Sequence, residues 1–165
     1  MLLLVASGAC ASRRPISFTG VDAITGLAIT LRPHAMPANR SFQGTFQSPH
    51  LGKLILKQSG NQVTGTFEHT VEGCLVMGTL MNGTVHDNVA EFEYIEHEHC
   101  PSSDRKIEGR GFFLYDLPSK DGKAQLFGRR YLTARPFHQS DDESYGWLNV
   151  EQRDDPWTAI EVLPR

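Results

Sequence analysis

The chain has 165 residues, of which 39% are hydrophobic and 21% charged, with a formal net charge of −3. This length suffices for one buried core, and no apolar stretch approaches the roughly 20 residues that a membrane-spanning helix needs. Scattered lysines and arginines, with the densest charge run acidic at Asp141-Asp142-Glu143, exclude a nucleic-acid binder, which shows a basic face.

Residues 1–10, Met1-Leu2-Leu3-Leu4-Val5-Ala6-Ser7-Gly8-Ala9-Cys10, form a short apolar run ending in small residues and a cysteine. That is the anatomy of a secretory signal, whose h-region of roughly 7–15 apolar residues precedes a small-residue cleavage site. No basic n-region stands before it. Ser7-Gly8-Ala9-Cys10 resembles the bacterial lipobox, with serine where that family prefers leucine. The resemblance implies that Cys10 is lipidated and becomes the mature N-terminus, which anchors the protein to a membrane of the bacterial cell envelope on its periplasmic or surface face. Ordinary leader-peptidase cleavage is the alternative, because Ser7-Gly8-Ala9 and Ala9-Cys10-Ala11 both satisfy the small-x-small rule. With Cys10 taken by lipid, Cys74 and Cys100 remain as a disulfide pair in an oxidising compartment.

Residues 11–40 read as a tether with one strand at 26–32. From there short apolar runs alternate with turn residues, and strands are expected at 41–47, 53–58, 62–68, 74–85, 89–99, 108–116, 123–131 and 145–151, with no helical period between them. In the run from Val89, Ala90, Phe92 and Tyr94 share one face while Glu91 and Glu93 share the other, so one side is buried and one is wet. Ser59-Gly60-Asn61 and Lys120-Asp121-Gly122 are turn sequences. Glycines recur inside the strands at 44, 65, 78, 111 and 128, as the tight bends of a small closed barrel require. The expected fold is all-β: an eight-stranded antiparallel meander barrel over 41–151, with 152–165 as a C-terminal extension.

The succession Gly44-Thr45-Phe46, Gly52-Lys53-Leu54-Ile55-Leu56 and Gly60-Asn61-Gln62-Val63-Thr64-Gly65-Thr66-Phe67 resembles avidin-like and lipocalin-like up-and-down barrels over residues 41–131. The resemblance implies closure of the first strand on the last around a narrow interior. The tryptophans of an avidin biotin pocket are missing here, and Gly44-Thr45-Phe46 replaces the lipocalin Gly-x-Trp.

Residues opposed across a hairpin have a constant sum, and pairing Cys74 with Cys100 places the turn near Asp87, with Leu80 opposite Tyr94 on the core face. Asn82-Gly83 is the competing turn; it would set Cys74 opposite Glu91 and forbid the bridge. The Asp87 turn is favoured, which leaves Asn82-Gly83 as an irregularity within the strand.

For chemistry, Glu96-His97-Glu98-His99-Cys100 is the one cluster resembling metal ligands, with His97 and His99 on one face of a strand. A solvated polar strand end running into the loop 101–106 is the better reading, because the sequence supplies no obvious third ligand from a neighbouring strand. There is no Gly-x-Ser-x-Gly nucleophile elbow, and the seven histidines are dispersed over turns and strand ends. Trp147 is expected in the barrel and Trp157 docked outside it. The reading is therefore a non-catalytic envelope lipoprotein without cofactors, with the membrane and an envelope protein as partners, and of undetermined oligomeric state. Two alternatives stand beside it: a carrier of a small apolar ligand lined by Phe46, Phe67, Phe92, Tyr94, Phe113 and Trp147, and an inhibitor of a secreted hydrolase acting through loops at 69–73 or 101–106. A well-filled interior favours the first reading over the carrier.

Overall fold

The computed structural model describes residues 16–21, 28–117, 122–132 and 156–162. They contain ten strands and no helix: β1 (Phe18–Val21), β2 (Ala28–Leu31), β3 (Gly44–Ser48), β4 (Gly52–Ser59), β5 (Gln62–Val71), β6 (Cys74–His86), β7 (Val89–Cys100), β8 (Ser103–Asp116), β9 (Gln125–Leu132) and β10 (Pro156–Glu161). Strands β3 to β10 close into an eight-stranded antiparallel barrel in meander order, and β10 pairs with both β9 and β3.

Turn chemistry sets the register. Between β5 and β6, Glu72 and Gly73 both take positive φ (50° and 81°), the combination that matches the twist of a two-residue hairpin. Between β6 and β7 the turn is Asp87-Asn88, with Asp87 at φ 54°. From Leu75↔His99 to Met81↔Glu93 the ladder keeps the sum that the cysteine pairing demands, with Leu80 opposite Tyr94. It then shifts by one residue between Met81 and Thr84, where Asn82 sits at φ 52° in a bulge. Asn82-Gly83 is thus an irregularity in a strand rather than a hairpin turn, and the Cys74–Cys100 disulfide forms with its Cα atoms 4.2 Å apart.

The inner wall is crowded, and two of its glycines make the crowding feasible. Gly78 lies in register opposite Phe67 and Gly111 opposite Phe92. A Cβ on Gly111 would come within 2.9 Å of the Phe92 ring, and one on Gly78 would overlap the Phe67 ring. Each missing side chain is the space that an aromatic ring from the neighbouring strand occupies.

Two expectations are corrected. The closing strand is Pro156–Glu161 rather than 145–151, which lies outside the described residues, and it comes from the stretch expected as a C-terminal extension. Proline at the first position of a strand costs no ladder hydrogen bond, so it is compatible with closure. In addition, the described part of the 11–40 tether is built onto the barrel. Strands β1 and β2 form a hairpin whose Phe18 is fully buried against Val89, Phe112, Leu114 and Phe127 of the outer wall. This cover explains why Phe112 to Tyr115 are all buried, on both faces of β8.

Residues 34–42 then close the barrel end at which β6 meets β7. The His34 N–H donates to Asn88 Oδ1 (2.8 Å), Asn88 Nδ2 donates to the Tyr115 carbonyl (2.8 Å), and the Phe42 N–H donates to Gln58 Oε1 (2.8 Å). The Phe42 ring meets Tyr115 edge-on at 5.6 Å. Arg40 donates to the Gly122 carbonyl (2.9 Å) and pairs with Glu161 (3.6 Å), which fastens this plug to the last strand.

Candidate functional site

The expected ligand-lining residues Phe46, Phe67, Phe92, Tyr94 and Phe113 all point into the barrel and are buried. Among the described residues, the rings of Phe67, Phe92, Tyr94 and Phe113 surround one further side chain. Trp157, expected outside, is 1% exposed and stands at the centre of the core. Its ring lies 5.3 Å from Tyr94, 6.0 Å from Phe67 and Phe113, and 6.3 Å from Phe92, the last in a stacked arrangement. Trp147 lies outside the described residues.

Towards the disulfide end, the inner wall turns from aromatic to charged. The alternation that sends Ala90, Phe92 and Tyr94 inward sends Glu96 and Glu98 inward too. Glu96 is buried, and its Oε2 meets Arg130 Nη1 at 3.2 Å. Glu98 accepts a bidentate pair from Arg105 (2.8 and 3.1 Å). The Arg130 guanidinium in turn lies over the Trp157 ring, 5.6 Å from its centroid, so the charge layer rests on the aromatic one.

Burial and environment push the two carboxyls apart. Desolvation raises the pKa of Glu96 against the opposing pull of Arg130, and Glu98, nearby, raises it further. Hydrogen bonding from Arg105 holds Glu98 below the usual carboxylate range. His69, on β5 at the same end, has a buried Nδ1 with no hydrogen-bond partner among the described residues. Desolvation, then Arg130, lowers its pKa. Chemically this is one buried carboxylate–guanidinium pair, Glu96 with Arg130, beside a second pair, Glu98 with Arg105, that opens to solvent at the barrel end.

His97 and His99 face outward on the same strand. Their rings are nearly parallel (11°), with centroids 6.4 Å apart, and His99 Nδ1 donates to Asp104 Oδ1 at 3.1 Å. Among the described residues no three His, Cys, Asp or Glu side chains gather as metal ligands. Further along this outer wall, Met81, Glu93, Ile95, Glu108 and Arg110 line an open depression of about 360 Å³ beside the bulge. Asn82 Nδ2 donates to Glu93 Oε2 (2.8 Å) across it, and this bond is the first cause of the lowered Glu93 pKa.

The stretches expected as protruding loops are tight turns. Strand β5 continues to Val71 before the two-residue turn, and β8 starts at Ser103, directly after Pro101-Ser102. Cys10 lies outside the described residues. Comparison with protein-family models, with curated proteins and with solved structures returns no match for this chain.

Proposed function

We infer that this protein is a non-catalytic lipoprotein of the bacterial cell envelope, anchored through Cys10, whose barrel acts as a rigid binding or structural module through its outer surface. The observation that carries this reading is the packed interior: the rings of Phe67, Phe92, Tyr94 and Phe113 surround Trp157 where a carrier would hold its cargo. An eight-stranded barrel has room for its own side chains or for one small ligand. The Cys74–Cys100 disulfide supports an oxidising compartment, where such bridges persist. The lipobox-like Ser7-Gly8-Ala9-Cys10 supports the anchor.

The test is fractionation of a bacterial host expressing the full chain, beside Cys10→Ser, with intact masses. The expected result is a membrane-bound mature chain that starts at a diacylated cysteine, with the variant released in soluble form. An unprocessed chain in the cytosol, identical for both proteins, would refute the anchor and the compartment together.

A further inference from the structure

We propose that Met77, His97 and His99 form a surface site for copper(I). This site does not depend on the lipid anchor or on the filled core. His97 and His99 stand two residues apart on β7, so both imidazoles project from the outer wall on the same side. Met77 on β6 is the register partner of His97, which places their Cβ atoms about 5 Å apart. It is 39% exposed, so its thioether is accessible from solvent on the outer wall. The three side chains can converge on one ion by rotamer changes alone, since none is held by the core.

Asp104 supplies a second, independent feature. Its carboxylate accepts a hydrogen bond from His99 Nδ1, which fixes the tautomer that leaves Nε2 as the free donor lone pair. A carboxylate behind a histidine in this way orients the ring and makes the outward nitrogen more basic. The neighbouring cation is diverted: Lys106, the β8 partner of His97, has its ammonium on Glu108 at 2.6 Å. Glu68, the β5 partner of Met77, adds a negative charge on the other flank.

The donor set selects the metal. Two imidazoles and one thioether are too few and too soft for a structural zinc site, which takes four ligands from cysteine, histidine and carboxylate. Thioether sulfur favours copper(I), and a low-coordinate N₂S site suits that ion. Asp104 acts here as a positioning residue and not as a ligand.

The experiment is anaerobic titration of the full chain carrying Cys10→Ser with the copper(I)–bicinchoninate complex. Ascorbate serves as the reductant because it leaves the disulfide closed. The wild-type surface is expected to withdraw one equivalent of copper. H97A/H99A should bind at least about 100-fold more weakly, and D104N about 10-fold more weakly, as the loss of an orienting partner costs. M77L should lose copper(I) affinity, because leucine offers no thioether sulfur. All four positions are at the surface, and an unchanged circular dichroism spectrum with an intact disulfide mass certifies the fold of each variant. Failure to withdraw copper, or equal withdrawal by H97A/H99A, would overturn the site, and an unaffected M77L would overturn the assignment to copper(I).

Discussion

At the scale of single residues, two side chains carry most of the argument. Trp157 anchors the core, and removal of a buried tryptophan of this kind costs about 3–5 kcal/mol through lost burial and the cavity left behind. Its place was not legible in the sequence, because Pro156–Glu161 is a six-residue strand that opens on proline after an irregular stretch. Only the alternation of Trp157 and Ala159 with Thr158 and Ile160 marks it as a strand. His69 is the other. Its native pKa lies below the ordinary 6.5, so the unfolded chain binds the proton more readily than the folded one. The stability it contributes is present above pH 6.5 and lost as the pH falls through the lowered native value. Glu96 has the opposite sign: its raised pKa gives stability at acid pH that fades as the pH rises through the native value. The difference between wild-type and H69Q urea midpoints, followed from pH 7.5 down to 5, therefore isolates the histidine. Wild type should lose ground to the variant on acidification, and parallel profiles would contradict this account.

At the scale of elements, β7 shows both what periodicity reveals and what it hides. The inward set Ala90, Phe92 and Tyr94 was legible, and the same parity continues through Glu96 and Glu98 to Cys100. Two acidic residues near a strand end look like solvated surface until their partners are known. Arg105 faces Glu98 across the β7–β8 turn, but Arg130 lies on β9, and no local spacing brings it to Glu96. The disulfide register was legible because a hairpin leaves a single integer free, and the bulge at Asn82 absorbs the conflict with the stronger turn signal. This bridge closes a separation of 26 residues and ties the β5–β6 turn to the β7–β8 turn. Replacing both cysteines with alanine should cost about 3 kcal/mol, mainly by freeing the unfolded chain. Denaturant unfolding of the double variant would measure it, and a change below about 1 kcal/mol would mean that the hairpin is already fixed by its neighbours.

At the scale of the whole molecule, the fold is a closed wall with an aromatic centre, a plug of residues 34–42 at one end and a matched charge layer at the other. A strand hairpin covers an apolar part of the outer wall, at Val89, Phe112, Leu114 and Phe127. The closed meander was legible from turns and glycines, whereas the plug and the hairpin were not. Their residues carry little periodicity, and several of the contacts that hold them reach far along the chain, such as His34 to Asn88 and Arg40 to Gly122. Every layer of this arrangement spends interior space on the protein's own side chains, and that is the central claim. It is tested most directly by native mass spectrometry of protein purified under non-denaturing conditions from its bacterial host. The expected result is the mass of the disulfide-closed polypeptide with its N-terminal modification and nothing else. A stoichiometric apolar molecule, retained in the folded protein and released on unfolding, would contradict it and make the barrel a carrier.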